Sequence, residues 1–171
     1  MTDQLAASRA IADTIKKGGF MHSSSLTERA QIAVVNDDAT YLALIRDILE
    51  ECDYDVTVFI TVDDAYQAIC VYNPDLIIVD LLFPDSKHGV DLISMLWLNR
   101  NTRHIPIVVC SAATAELREM QSYLHSKNIG TLYKPFDLDE LIHTVAHALQ
   151  SKTLSAEPGI ESHFPPTDPT M

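Results

Sequence analysis

The sequence predicts an α/β domain, a five-stranded parallel sheet doubly wound by five helices, (βα)5, over residues 30–150. Three observations carry this. Short apolar runs alternate five times with segments of helical periodicity, three of those runs are apolar almost without a break, and polar residues gather directly after the runs. A strand covered on both faces needs an unbroken apolar run, and helices crossing between parallel strands supply both covers.

The elements follow in order. Ile32-Ala33-Val34-Val35 is the first strand and ends in Asn36-Asp37-Asp38. A helix follows from Thr40 to Glu51, with Leu42, Ile45, Ile48 and Leu49 on one face. Val56–Ile60 is the second strand, and a helix runs from about Asp63 to Tyr72. Asn73-Pro74 stops it, because the residue before a proline is pushed out of the helical region. Leu76–Val79, the most apolar strand, ends at Asp80, and the helix after Gly89 carries Leu92, Ile93, Leu96 and Trp97. Ile105–Cys110 and Gly130–Tyr133 are the fourth and fifth strands. The helices after them run from Ala113 to about Lys127 and from Asp137 to Gln150, and Asp38 and Asp137 read as N-caps.

Outside this core, residues 1–29 hold a short helical pattern (Leu5, Ala6, Ile11, Ala12, Ile15) and then Gly18-Gly19 and Ser23-Ser24-Ser25. Residues 151–171 carry Pro158, Pro165, Pro166 and Pro169, a composition expected to hold neither helix nor core. A net charge of −12 opposes direct nucleic-acid binding, which calls for a basic face. No apolar run reaches the length of a membrane span, and Cys52, Cys70 and Cys110 lack metal-type spacing. They read as small buried hydrophobes in a reducing compartment, so a cytoplasmic location is expected.

In doubly wound folds the ligand site lies beyond the carboxyl ends of the strands. Those ends deliver Asn36, Asp37 and Asp38, then Asp80, Ser111 and Lys134. Each has a bland reading as a cap, a turn former or a solvated cation. Together they make chemical sense. Asp37 and Asp80 supply hard oxygen ligands suited to Mg²⁺. Asp80 is a carboxylate nucleophile for phosphorus, Lys134 offsets phosphoryl charge, and the Ser111 hydroxyl donates to a phosphoryl oxygen.

The stretches Ile32–Asp38, Pro74–Pro84, Ile105–Ala112 and Tyr133-Lys134-Pro135-Phe136 closely resemble the response-regulator receiver family, over residues 31–150. The resemblance implies a flavodoxin-like strand order 2-1-3-4-5 and a cis bond before Pro135. It makes Asp80 the phosphoacceptor, Asp37 a direct Mg²⁺ ligand, the Leu82 carbonyl a further ligand and Asn36 a contact through water. Ser111 matches the switch hydroxyl and Lys134 the conserved-type lysine. Implied partners are a histidine kinase or phosphotransfer protein as donor and a downstream protein as target. A homodimer through the helix 4–strand 5–helix 5 face is a further expectation. No DNA-binding or catalytic domain is recognisable after Gln150, so the expected output is protein contact or phosphoryl relay.

Three departures stand out. Asn36 replaces the first acid of the family's pair, which predicts weaker Mg²⁺ affinity. Thr131 occupies the switch-aromatic position, while Tyr133 lies two residues on, on the same side of the strand. The loop Pro84–Gly89 is one residue longer than usual at the pocket rim and reads as a solvated loop, with Lys87 or His88 facing the phosphoryl group as the alternative. Leu82 and Ala113 cannot position an attacking water, so a phosphoryl group lasting minutes or more is expected. A receiver-like adaptor that never uses Asp80 is the alternative reading, on Asn36 and Thr131. A phosphohydrolase of the haloacid-dehalogenase type would need an acid where Leu82 stands, so an enzyme is not expected. His143 and His147 fall outside the apolar stripe of helix 5 and read as surface residues, and Trp97 reads as packing.

Overall fold

Successive side chains of a strand point to opposite faces, so apolar runs without a break need a sheet covered on both sides. The structure, a computed structural model, describes residues 29–81, 83, 89–112, 114–127 and 129–155. Its strands are β1 (Gln31–Val35), β2 (Asp55–Phe59), β3 (Leu76–Asp80), β4 (Ile107–Ser111) and β5 (Gly130–Tyr133). Its helices are α1 (Ala39–Glu51), α2 (Val62–Tyr72), α3 (Gly89–Leu98), α4 (Thr114–Ser126) and α5 (Leu138–Ser155). All strands pair in parallel, in the order β2-β1-β3-β4-β5. β3 sits at the centre and is buried along its whole length.

Alternate residues face opposite layers. Ile32, Val34, Ile78, Val108, Cys110 and Leu132 pack with Leu42, Ile45 and Leu49 of α1 and Leu141, Ile142 and Val145 of α5. Ala33, Val35, Ile77, Val79, Ile107 and Val109 pack with α2, with Leu92, Ile93 and Leu96 of α3, and with Leu124 of α4. Each fully buried Leu, Ile or Val contributes about 1.5–3 kcal/mol, so these two layers hold the strand ends in place.

The caps form as the sequence predicts. Asp38 accepts from the Thr40 and Tyr41 amides, and Asp137 from the Glu140 amide. Asn73 ends α2 in the left-handed conformation, φ 52°, which asparagine tolerates. Two boundaries need correction: β4 begins at Ile107 rather than Ile105, and α5 runs to Ser155, five residues past the expected stop at Gln150. Ser151–Ser155 contains neither proline nor glycine, and the first breaker is Pro158; the tail's average composition hid this. The remaining expectations for residues 1–28 and 156–171, the loop residues 84–88 with Lys87 and His88, Leu82 and Ala113 lie outside the described residues.

Cys52 and Cys110 are buried as expected, whereas Cys70 is only half-buried. His143 and His147 are exposed, with rings stacked 6.5 Å apart. Trp97 departs from a pure packing role: it is 39% exposed, and the Lys127 ammonium lies 3.0 Å from its ring centroid. Among the described residues no helix is long and apolar enough to cross a membrane.

Candidate functional site

Sheet register assembles the site. Val35 pairs with Val79, so Asn36 emerges beside Asp80; Asp80 pairs with Cys110, and Ser111 with Tyr133. Two further main-chain bonds lock these ends together. The Asn36 amide donates to the Phe59 carbonyl, and the Lys134 amide to the Ser111 carbonyl, each at 3.1 Å. The Lys134–Pro135 peptide is cis, as the resemblance implies.

Asp80 is 9% exposed and lies on the α1/α5 side of the pleat. The Lys134 ammonium donates to its Oδ2 at 2.6 Å, an ion pair well shielded from water. The Asn36 side-chain amide donates to the same oxygen at 2.9 Å. The Asn36 oxygen, expected to accept from a metal-bound water, accepts the Asp38 amide at 2.8 Å. The turn into α1 takes an acceptor there and the Asp80 oxygen takes a donor, so one bond at each end orients the Asn36 side chain. Asp38 caps α1 through one oxygen, Oδ1, which accepts from both the Thr40 and Tyr41 amides. Asp37, two residues beyond the last paired residue of β1, is exposed.

Ser111 is completely buried at the end of β4. Tyr133 stands in register with it and shares its side of the pleat, while Thr131 pairs with Val109 one step lower. Tyr133 is 36% exposed at the sheet edge.

One neighbour escaped sequence reasoning. Tyr41, on the first turn of α1, lays its ring under Lys134, with Nζ 3.9 Å from the ring centroid. Its hydroxyl shares a 3.1 Å hydrogen bond with the Cys110 thiol. Burial pushes the Tyr41 hydroxyl far above the ordinary 10.0, and the neighbouring Cys110 and then Asp80 add to the effect. Burial also lifts the Cys110 thiol above 9.0, against the hydrogen bond from Tyr41 and the charge of Lys134, which lower it. Both groups therefore hold their protons longer in the folded chain than in the unfolded one. Their contribution to stability is complete below the unfolded values and is lost as pH rises towards the folded ones. The urea midpoint is accordingly expected to stay level to about pH 9 and then fall, and Tyr41→Phe should make the fall shallower. A profile flat to pH 11 in the wild type would contradict this.

Known proteins decide the family. The sequence model of the response regulator receiver domain matches residues 32–146. The chain belongs to that family. The receiver domain is 36% identical over 116 residues to the transcriptional regulatory protein KdpE of Staphylococcus aureus, covering 66% of this chain and 47% of that one. It is 31% identical over 127 residues to the sensor histidine kinase TmoS of Ectopseudomonas mendocina, 74% of this chain but 13% of that protein. The chain thus spans about half the length, or less, of these curated relatives. A sensor protein from a Polaromonas species superposes with a TM-score of 0.66 at 28% identity, over 73% of this chain and 99% of that one. A receiver domain protein from Methanospirillum hungatei shares the fold, with a TM-score of 0.67 at 19% identity over 75% and 99% of the two chains. The expected family and strand order both hold. Among the described residues no group of three or more His, Cys, Asp or Glu side chains is placed to hold a metal ion.

Proposed function

We propose that this receiver domain accepts a phosphoryl group on Asp80 from a histidine kinase or phosphotransfer protein and signals through protein contact. The observation that carries the reading is the 2.6 Å pairing of Lys134 with Asp80, a half-buried cation held against the nucleophile before any phosphate arrives. In the transfer, an Asp80 carboxylate oxygen forms the new O–P bond while the donor's bond to phosphorus breaks and its electron pair leaves with the donor. Lys134 follows the charge from carboxylate to phosphoryl oxygens, and Ser111, beside the Lys134 amide, offers its hydroxyl to another of them.

Asp37, Asp80 and the Leu82 carbonyl would hold Mg²⁺; the two carboxylates are hard donors at adjacent strand ends, which fits that ion. When bound, Mg²⁺ supplies charge neutralisation at the transferring group. An apolar groove of about 260 Å³ lined by Tyr41, Leu44, Ile48, Phe136 and Leu138 opens beside Lys134, which supports approach of a donor protein on that side. Tyr133, in register with Ser111 and exposed on β5, suits the part that Thr131 cannot play: an aromatic that follows the hydroxyl when the site is phosphorylated. A target protein, or a second copy of the domain, would then read the α4–β5–α5 face. We read the domain as a signalling module in the cytoplasm rather than an enzyme.

One feature favours the alternative, a phosphorylation-independent adaptor: the neutral Asn36 amide already occupies Asp80 where the family usually has an acid. The decisive experiment is the intact mass after incubation with Mg²⁺ and acetyl phosphate. Uptake of one phosphoryl group supports the switch; no uptake from acetyl phosphate or from phosphohistidine donors supports the adaptor.

The same contact yields a prediction. Asn36→Asp sets a carboxylate 2.9 Å from the Asp80 oxygen and removes a donor, with both side chains buried. Without metal the domain should lose about 1–3 kcal/mol of stability. Added Mg²⁺ should restore it at concentrations several-fold lower than the wild type needs for its own stabilisation. Thermal melts across a Mg²⁺ series read both effects, and identical metal-free melts would refute the argument.

A further inference from the structure

We infer that Tyr41 is a positioning residue for Lys134, holding the ammonium by its ring face; the consequence for phosphoryl transfer rests on the role proposed for Asp80. The ammonium lies 3.9 Å from the ring centroid while it donates to Asp80 at 2.6 Å, so ring and carboxylate fix it from two sides. The ring is itself fixed. Tyr41 stands on the first turn of α1, where its amide is bound by the Asp38 cap, and its hydroxyl bonds Cys110, the residue paired with Asp80 in the sheet. Asn36, Asp38, Tyr41, Cys110, Asp80 and Lys134 thus form one connected cluster.

The chemistry explains why a ring is useful there. A negative ring face attracts a cation without accepting its proton and without competing for the phosphoryl group. When Asp80 becomes an acyl phosphate, the carboxylate that held Lys134 no longer carries that charge, but the ring contact remains. Lys134 therefore stays over the site while its donor bond moves from carboxylate to phosphoryl oxygen. A second carboxylate could also hold the cation, but it would repel the incoming phosphoryl group. Asn36 adds no negative charge at the strand end, so the ring supplies the second attraction.

The test uses the chain as it is, with acetyl phosphate and Mg²⁺, because a small donor needs no docking groove. Tyr41→Leu should slow uptake on the order of 5- to 30-fold, the size of a shielded cation–π contact. Tyr41→Phe keeps the ring while giving up the bond to Cys110, and should recover most of that loss. In a Lys134→Ala background Tyr41→Leu should cause no further loss, which a merely structural role would not produce. Independently of phosphorylation, the Lys134 ε-methylene protons should show an upfield ring-current shift in wild type and Tyr41→Phe, absent in Tyr41→Leu. A wild-type rate in Tyr41→Leu, equal losses with and without Lys134, or no ring-current shift would each overturn the inference. A wild type that takes up nothing would sink the phosphoacceptor reading instead, and the ring-current shift would still decide whether Tyr41 holds Lys134.

Discussion

Asp80→Asn is expected to leave the chain folded and unlabelled: incubated with acetyl phosphate and Mg²⁺, it should gain no mass where the wild type gains about 80 Da. The effect is the largest available because it removes the nucleophile itself; an amide oxygen at that position has neither the charge nor the basicity to attack phosphorus. The rate should fall by at least about 1,000-fold, into the background of the assay. Folding should change far less. The substituted side chain keeps an oxygen to accept from Asn36 or Lys134, which sit on one oxygen in the wild type at 2.9 and 2.6 Å. Lys134 loses its countercharge but keeps the Tyr41 ring, and with 21% of its side chain exposed it is partly hydrated, so a cost of about 1–2 kcal/mol is reasonable. A melting curve beside the mass spectrum separates the two effects. Uptake in both proteins would mean that another side chain is the acceptor, and the Lys134–Asp80 pair would then need a different explanation.

The strand ends were legible because two independent periodicities converge on them. Burial on both faces makes β1, β3 and β4 nearly continuous apolar runs, and a parallel sheet must then present their carboxyl ends together. Placing Asn36, Asp80, Ser111 and Lys134 in one neighbourhood needed nothing more, and the motif resemblance then named their roles. What lay beyond reach depends on individual donors and acceptors. The orientation of Asn36 is set by two partners, the Asp38 amide and the Asp80 carboxylate, which only the folded turn brings to its two ends. Tyr41 carried no signal in the sequence beyond its place at the start of a helix. That its ring meets a lysine from β5 follows only from β1 and β5 flanking β3 and β4 at the distance this twist gives. Tyr133 is the intermediate case: its parity with Thr131 was visible in the sequence, but its pairing with Ser111 is a matter of register, which the sequence leaves open by a residue or two.

Gly89 read only as a boundary before the third helix, yet the structure makes it a point of contact with the nucleophile's own backbone. It is buried as the first residue of α3, and its amide donates to the Leu81 carbonyl at 3.1 Å. A Cβ built there would lie 1.9 Å from the Asp80 carbonyl oxygen, 2.9 Å from its carbonyl carbon and 3.1 Å from the Leu81 Cα. All three atoms are main chain, so no rotamer change relieves the clash; either α3 or the end of β3 must move. No glycine among the described residues has a positive φ, so close approach rather than backbone freedom is what calls for glycine here. Gly89→Ala should therefore cost about 3 kcal/mol or more, at the upper end of overpacking, which for a domain of this size lowers the melting temperature by roughly 10 °C. It should also act on the chemistry. A shift of β3 near 1 Å carries Asp80 away from Lys134, and displacement of that size can lower the transfer rate by about 100-fold. Asp80→Asn should abolish uptake at nearly full stability, whereas Gly89→Ala should lower both together. Cooling the variant well below its melting temperature separates lost fold from lost geometry, because only the geometric defect persists. A Gly89→Ala protein with wild-type melting and wild-type uptake would show that α3 does not approach Asp80 as closely as these distances require.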